Sequence, residues 1–237
     1  MPPGPVHRPA IENLLLGALP AASRRKLLAR GERVDLAAAT VLHNPGMPVS
    51  HVYFPVDCSI ALVAGATGKV KLEMGMVGNE GMLGISLMLG VEVAPLQWLV
   101  QGAGKAWRIE AAAFLGELTC NPQLRRELNL YLYVTLAQLA QTAACKRFHV
   151  VEERLARWLL MIRDRAHADA FHVTHEALAH VMGVRRAGIT RAAGSLQQRN
   201  LIRYARGDLE ILDGDGLEIA SCGCYAADNQ IYASVLT

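Results

Sequence analysis

The stretch from Val173 to Arg206, VTHEALAHVMGVRRAGITRAAGSLQQRNLIRYAR, constrains this chain more tightly than any other. Thr174 is a good helix N-cap, because its hydroxyl can accept an orphan backbone N–H of the first turn. Ala177, Leu178, Val181 and Met182 repeat at helical spacing and predict one buried stripe. Gly183 can take the left-handed conformation that ends such a helix. A second stripe runs through Ile189, Ala192, Ala193 and Leu196, with Leu201 and Ile202 closing the core. Ile202-Arg203-Tyr204 and Leu209-Glu210-Ile211-Leu212 flank Arg206-Gly207-Asp208, which predicts a hairpin. Two short helices around a glycine turn, followed by a hairpin, make the layout of a winged helix-turn-helix.

Charge falls where such a module needs it. Arg185, Arg186, Thr190 and Arg191 lie opposite the apolar stripe at the start of the second helix, the end that a recognition helix presents to the major groove. Residues 146–206 hold twelve Lys/Arg against five Asp/Glu, a local balance of +7, whereas residues 207–237 hold none against six. The formal net charge of +3 hides this asymmetry. A basic patch of this kind supplies phosphate contacts and makes binding fall steeply with salt. The competing reading is a ligand-binding or protein-interaction module whose winged helix is structural.

Upstream the pattern changes twice. A Pro-rich lead precedes Ile11–Leu28, which reads as short helical turns with a basic Arg24-Arg25-Lys26. From about Glu32 to Ile109, short apolar runs are broken by turn formers: Thr40–His43, Val52–Phe54, Ser59–Ala64 and Trp98–Gln101. Strands of that length and spacing predict a compact antiparallel barrel or jelly roll. From Cys120 onward the chain reads as helix. Asn121-Pro122 is a cap followed by a first-turn proline. Leu124, Leu128, Tyr131, Leu132, Leu136, Leu139 and Ala143 then occupy more than one face, so this helix should bury one side on its own roll and another on a partner chain. Val150 to Arg165 forms the next helix, with a stripe through Val151, Leu155, Trp158, Leu159 and Ile162.

The expected class is therefore α+β: a β-roll sensor domain at 12–118, a dimerisation helix at 119–147 and a winged helix-turn-helix at 148–225. Hydrophobic residues make up 52% of the 237, yet no uninterrupted apolar run reaches the ~18–20 residues of a membrane span. The N-terminus lacks the features of a signal peptide. Five scattered cysteines, Cys58, Cys120, Cys145, Cys222 and Cys224, fit a reducing compartment better than a disulfide framework. Cytoplasmic placement is expected.

With Arg154-Leu-Ala-Arg-Trp-Leu-Leu160, the helix-turn-helix, the hairpin, and the close from Leu217-Glu218 through Ser221-Cys-Gly-Cys-Tyr225, the chain resembles the Crp/Fnr-type transcriptional regulators of the catabolite-activator superfamily. The resemblance covers roughly residues 12–225. It implies a cyclic-nucleotide-binding-like β-roll, a homodimer on a palindromic DNA site, double-stranded DNA and RNA polymerase as partners, and an effector held by the roll. Arg186 and Arg191 match family positions that reach guanine edges or neighbouring phosphates. Ala187 stands where nucleotide-responsive members carry an acidic base reader, and Gly188 allows close approach to DNA. Arg185 and Thr174 are expected on phosphate, with Glu176 and Arg206 as further candidates.

Effector chemistry is narrowed but not identified. Gly78-Asn-Glu-Gly-Met-Leu-Gly84 is similar to the opening of the family's phosphate cassette, yet from Leu72 through Gly104 there is no Lys or Arg. A buried phosphate beside Glu73, Glu80 and Glu92 would lack a countercharge, which argues against cAMP or cGMP. No cysteine precedes Cys58, which argues against an N-terminal iron–sulfur cluster. Haem stays open, since His43, His51 or Cys58 could ligate it. The glycines read as turn and packing residues, and the methionine-rich stretch Met74–Leu99 as core or as the lining for an uncharged ligand.

No enzymatic activity is expected. His175-Glu-Ala-Leu-Ala-His180 places its histidines five apart, about 140° around a helix, so they do not share a metal. Cys222-Gly-Cys224 could join a metal site or a redox pair, but no second Cys/His pair at zinc spacing accompanies it in the sequence. No metal site is therefore expected, and the role of Cys222 and Cys224 stays open.

Overall fold

In this computed structural model, residues 13–65 and 71–236 are described. The Pro-rich lead, Ile11 and the expected domain start at position 12 lie outside them. The chain begins with α1 (Leu14–Ala18) and α2 (Ala21–Leu28). Buried Asn13 anchors them: its Oδ1 accepts from the Leu16 amide at 3.1 Å, and its Nδ2 donates to the carbonyls of Pro55 and Gly81 at 3.0 and 2.7 Å.

Seven strands follow: β1 (Gly31–Leu36), β2 (Val41–His43), β3 (His51–Pro55), β4 (Ser59–Gly65), β5 (Lys71–Val77), β6 (Gln97–Gly102) and β7 (Gly104–Glu110). They form two antiparallel sheets, ordered β1-β7-β3 and β2-β6-β4-β5. Alternate residues of β6 show the logic of the roll. Trp98 and Val100 point into the core, while Gln97, Leu99 and Gln101 line an outer cleft. Between β5 and β6, Gly84 (φ +90°) and Gly90 (φ +74°) bound a 3-10 helix, Ile85–Leu89.

Helix begins earlier than the expected Cys120. Helix α3 (Ala111–Cys120) covers one end of the roll through Phe114 and Leu118, and Asn121 then caps α4 (Pro122–Phe148) by accepting from the Leu124 amide at 3.1 Å. The 27 residues of α4 make a rod about 40 Å long at ~1.5 Å per residue. Leu124, Leu128 and Tyr131 join the roll core; Tyr133, Leu136, Ala140 and Ala143 form a stripe facing away from it.

After a break at His149, α5 (Val151–Ala166), α6 (His175–Met182) and α7 (Arg186–Gln198) surround a second core. A sheet ordered β8-β10-β9 flanks them, built from β8 (Ala170–His172), β9 (Ile202–Ala205) and β10 (Asp208–Ile211). The fold is thus the α+β arrangement expected: a roll, a long helix and a winged helix-turn-helix. The chain continues past the expected end at 225. Helix α8 (Gly214–Ala220) is followed by α9 (Cys224–Val235), which runs back along α4 and brings Tyr232 and Leu236 onto the roll. Among the described residues, no helix is long and apolar enough to cross a membrane.

Candidate nucleic-acid interface

The two helical stripes bury as their periodicity requires, except at Ala177 and at Val181, which is half-buried beside the cleft. Leu178 and Met182 on α6, and Ile189, Ala192, Ala193 and Leu196 on α7, are buried. Ala177 is exposed and Ala179 takes its place inside. The reason is the turn of α6, whose Ala177 side faces the cleft beside β6 rather than the core. Thr174 caps α6 by accepting from the Ala177 amide at 3.1 Å, and Gly183 ends it at φ +66°. Arg185 occupies the extended N-cap position of α7, one residue before the helix itself begins at Arg186.

The wing turns on two residues. Arg206 (φ +55°) and Gly207 (φ +96°) connect β9 to β10, and positive φ at both central positions is the type I′ turn that matches strand twist. A side chain on Gly207 would meet the His172 ring, so glycine is required there by close approach as well as by backbone. The remaining wing contacts fix its angle. The Tyr204 hydroxyl donates to the Val173 carbonyl at 2.5 Å, and the Tyr204 ring meets His175 edge-on at 4.6 Å. Thr190 Oγ1 lies 3.2 Å from His175 Nδ1.

These contacts gather the expected site residues into two exposed groups. Thr174, Arg186, Arg206 and Gly207 line one polar recess together with His175 and Tyr204. Arg185, Gly188 and Arg191 line another, with Ala187 and Thr190. Glu176 is exposed on the first turn of α6 and lines neither. Burial, and then the Arg186 charge, pull His175 below its ordinary value, favouring a neutral imidazole beside that arginine.

The glycine-rich loop after β5 is filled by the protein itself. A Cβ at Gly78 would collide with the Arg165 side chain, and one at Gly81 with the Tyr131 phenol. Glu80 Oε1 accepts from Arg165 Nε at 2.8 Å and from the Gly78 amide at 3.1 Å, in a largely buried pair. Tyr131 donates to the Met82 carbonyl at 3.2 Å. Two of these glycines are therefore packing residues, holding the loop against α4 and α5. The methionines divide: Met82 belongs to the roll core, Met76 to the core of the helix-turn-helix side.

Glu73 of β5, which in the sequence read only as a carboxylate without a countercharge, has partners of its own. Its carboxylate accepts from the Trp158 indole at 3.1 Å and from the Gln101 amide, and burial raises its pKa to about 7 against those hydrogen bonds. It borders an apolar cleft of about 580 Å³ between the outer face of the β6 sheet and helices α5 and α6.

The expectation of no metal site rested on the want of a second Cys/His pair, and the fold supplies one. Cys145 and His149, four apart at the end of α4, stand beside Cys222 and Cys224, with all four donor atoms within 4.8 Å of one another. The hydrogen bond with Cys222 is the main influence lowering the Cys145 thiol to about 5, whereas the same bond raises Cys222. His175 and His180, by contrast, are not brought together: His175 faces Thr190, while His180 Nδ1 lies 2.8 Å from the Glu176 carbonyl of its own helix.

Residues 153–219 match the Crp-like helix-turn-helix domain. No curated protein matches the chain. Among solved structures, a Crp/Fnr-family transcriptional regulator from Eubacterium rectale is 18% identical with a TM-score of 0.67, over 88% of this chain and 99% of that one. A c-di-GMP-responsive global regulator from Xanthomonas campestris is also 18% identical, with a TM-score of 0.66, over 81% of this chain and 99% of that one. A Crp/Fnr-family regulator from Thermus thermophilus reaches 22% identity and a TM-score of 0.66, over 80% and 98%.

Proposed function

For a chain that has the fold of the Crp/Fnr regulators and carries a Crp-like helix-turn-helix domain, we propose the function of a cytoplasmic, homodimeric, sequence-specific DNA-binding transcription regulator. The observation that carries this reading is the paired recesses at the start of α7. Arg186 stands with Thr174 and the wing arginine Arg206 on one side, and Arg185 with Gly188 and Arg191 on the other. Cations on both flanks of one protruding helix end suit a groove with a phosphate backbone along each edge. Arg186 and Arg191 are the base readers, each bidentate contact to guanine discriminating by about 1–3 kcal/mol. Thr174, Arg185 and Arg206 hold phosphate. Gly188 lets the helix approach, and Glu176 borders the contact.

The outward stripe on α4 supports the dimer. Tyr133 and Leu136 are 59% and 60% exposed on a face that continues through Ala140 and Ala143. Exposed apolar side chains in one line on a long helix fit a second copy of the same helix. Twofold symmetry then sets two recognition helices about 34 Å apart on a palindromic site.

The effector belongs to a class other than cAMP or cGMP. Glu80 is already held by Arg165, and no Lys or Arg from 72 to 104 faces a phosphate. RNA polymerase is the further partner, and the role is regulatory rather than catalytic. Selection of a duplex from a random pool, followed by anisotropy titration at several salt concentrations, tests the reading. A selected palindrome bound by two chains, with affinity falling steeply as salt rises, supports it. Absence of any selected duplex makes the winged helix a structural module.

A further inference from the structure

We propose that Cys145, His149, Cys222 and Cys224 form a closed tetrahedral Cys3His site for Zn2+ at the joint between the long helix and the helix-turn-helix domain.

The geometry is that of a metal site rather than of scattered thiols. A tetrahedron with Zn–S bonds of 2.3 Å has donor–donor edges of about 3.8 Å. Cys145 Sγ lies 3.5 Å from Cys222 Sγ, Cys224 Sγ lies 3.5 Å from His149 Nδ1, and all four atoms fall within 4.8 Å. Each donor is placed by an element. Cys145 stands on the last turn of α4 and His149 is the C-cap of that helix, four residues on. Cys222 and Cys224 straddle Gly223, the N-cap of α9.

The surroundings complete the chemistry. The three cysteines are buried and His149 is half-buried, and four protein donors leave no open coordination position. Three thiolates and a neutral imidazole around Zn2+ leave one net negative charge. Arg154 of α5 lines one recess with Cys145 and offers the nearby cation, whereas Arg157 beside it is already paired with buried Asp228. Gln141 Nε2 donates to Cys224 Sγ at 2.9 Å, the outer-shell hydrogen bond that holds a thiolate in place. Zinc is the metal because a four-coordinate N/S donor set without carboxylates selects it over the oxygen-loving cations.

The site lies where the chain is least supported. His149 and Val150 separate α4 from α5, and Phe148 and Val150 are 76% and 63% exposed. A metal there ties the end of α4 to the start of α9 and fixes the joint on which the helix-turn-helix domain is carried. This holds whether or not the chain reads DNA.

The test is metal analysis of the full-length protein, purified reduced and without chelator, by plasma mass spectrometry. Replacement by Co2+ then allows optical spectroscopy. One zinc per chain is expected, released when a mercurial titrates the thiols. The Co2+ form should show thiolate-to-metal charge transfer and the visible bands of a tetrahedral site. Cys222→Ser and His149→Ala should each lower metal affinity by tenfold or more, while Cys120→Ser, at an exposed cysteine outside the cluster, should leave it unchanged. Should Cys222→Ser fail to fold, the Co2+ spectrum of the wild type still counts the sulfur ligands. Protein that neither carries metal nor takes up Co2+ overturns the proposal. So do an octahedral Co2+ spectrum and metal that survives both substitutions.

Discussion

The Trp158 indole N–H donates to the Glu73 carboxylate at 3.1 Å, and this one bond joins α5 of the helix-turn-helix domain to β5 of the roll. Trp158 and Ile162 are the residues of the α5 stripe that line the cleft between the two. A hydrophobic side chain placed by helical periodicity thus carries, at its polar tip, a contact between the halves of the chain.

The protonation of Glu73 should set a pH dependence. Its pKa rises from an ordinary 4.5 to about 7 on folding, chiefly through burial. A raised acid favours folding fully below the unfolded value, and this contribution is lost as pH rises through the folded one. Stability should therefore fall between about pH 4.5 and 7; two and a half units correspond to an upper bound of about 3 kcal/mol. Glu73→Gln should flatten that slope and raise the melting temperature above pH 7, because Gln101 has a buried Oε1 free to accept from the new amide. Thermal melts of both proteins from pH 5 to 8 check this. Parallel curves would remove Glu73 as the cause.

Arg186→Ala should relax preference among half-sites, losing about 1–3 kcal/mol of discrimination at the base it reads. Arg185→Ala should weaken every duplex alike and lower the salt slope by about one. Titrations on matched and scrambled duplexes separate the two. Equal loss on all sequences in both variants would contradict the division between reading and anchoring.

Gly81→Ala should destabilise by about 1–3 kcal/mol, since the added Cβ meets the Tyr131 phenol. Combining it with Tyr131→Phe should recover part of the loss, because the hydroxyl is the nearest atom. The double-mutant cycle in urea measures that coupling. Additive losses would place the strain elsewhere.

Leu136→Glu should give a folded monomer. Leu136 is exposed on the outer stripe of α4, so a charge there spares the roll core and disfavours a second helix against it. Sedimentation velocity reads the mass, circular dichroism the fold. A dimer that persists would move the interface off this stripe.

The winged module was almost wholly legible because its signals are local: stripes at helical spacing, a glycine at the turn, an Arg-Gly pair at the wing. The strand Ala170–His172 was not, since three residues carry too little alternation to separate from a loop. Nor was α9, whose mixed faces are set by the groove it fills beside α4. The metal quartet was hidden for a different reason. Cys145 and His149 read as ordinary helix residues, and more than seventy positions separate them from Cys222. Their own i, i+4 spacing was the available signal, and only the return of the chain along α4 gives it a partner. Glu73 and Glu80 read as uncompensated charge because their partners, Trp158 and Arg165, are 85 residues away.

The Glu80–Arg165 pair makes the roll its own competitor. A molecule arriving at that loop meets a carboxylate already engaged, so it gains only the difference between its contacts and those it displaces. The displaced group is not a free side chain but part of α5, the helix on which the recognition elements rest. The chain therefore holds that competitor internally, on the helix against which α6 and α7 pack.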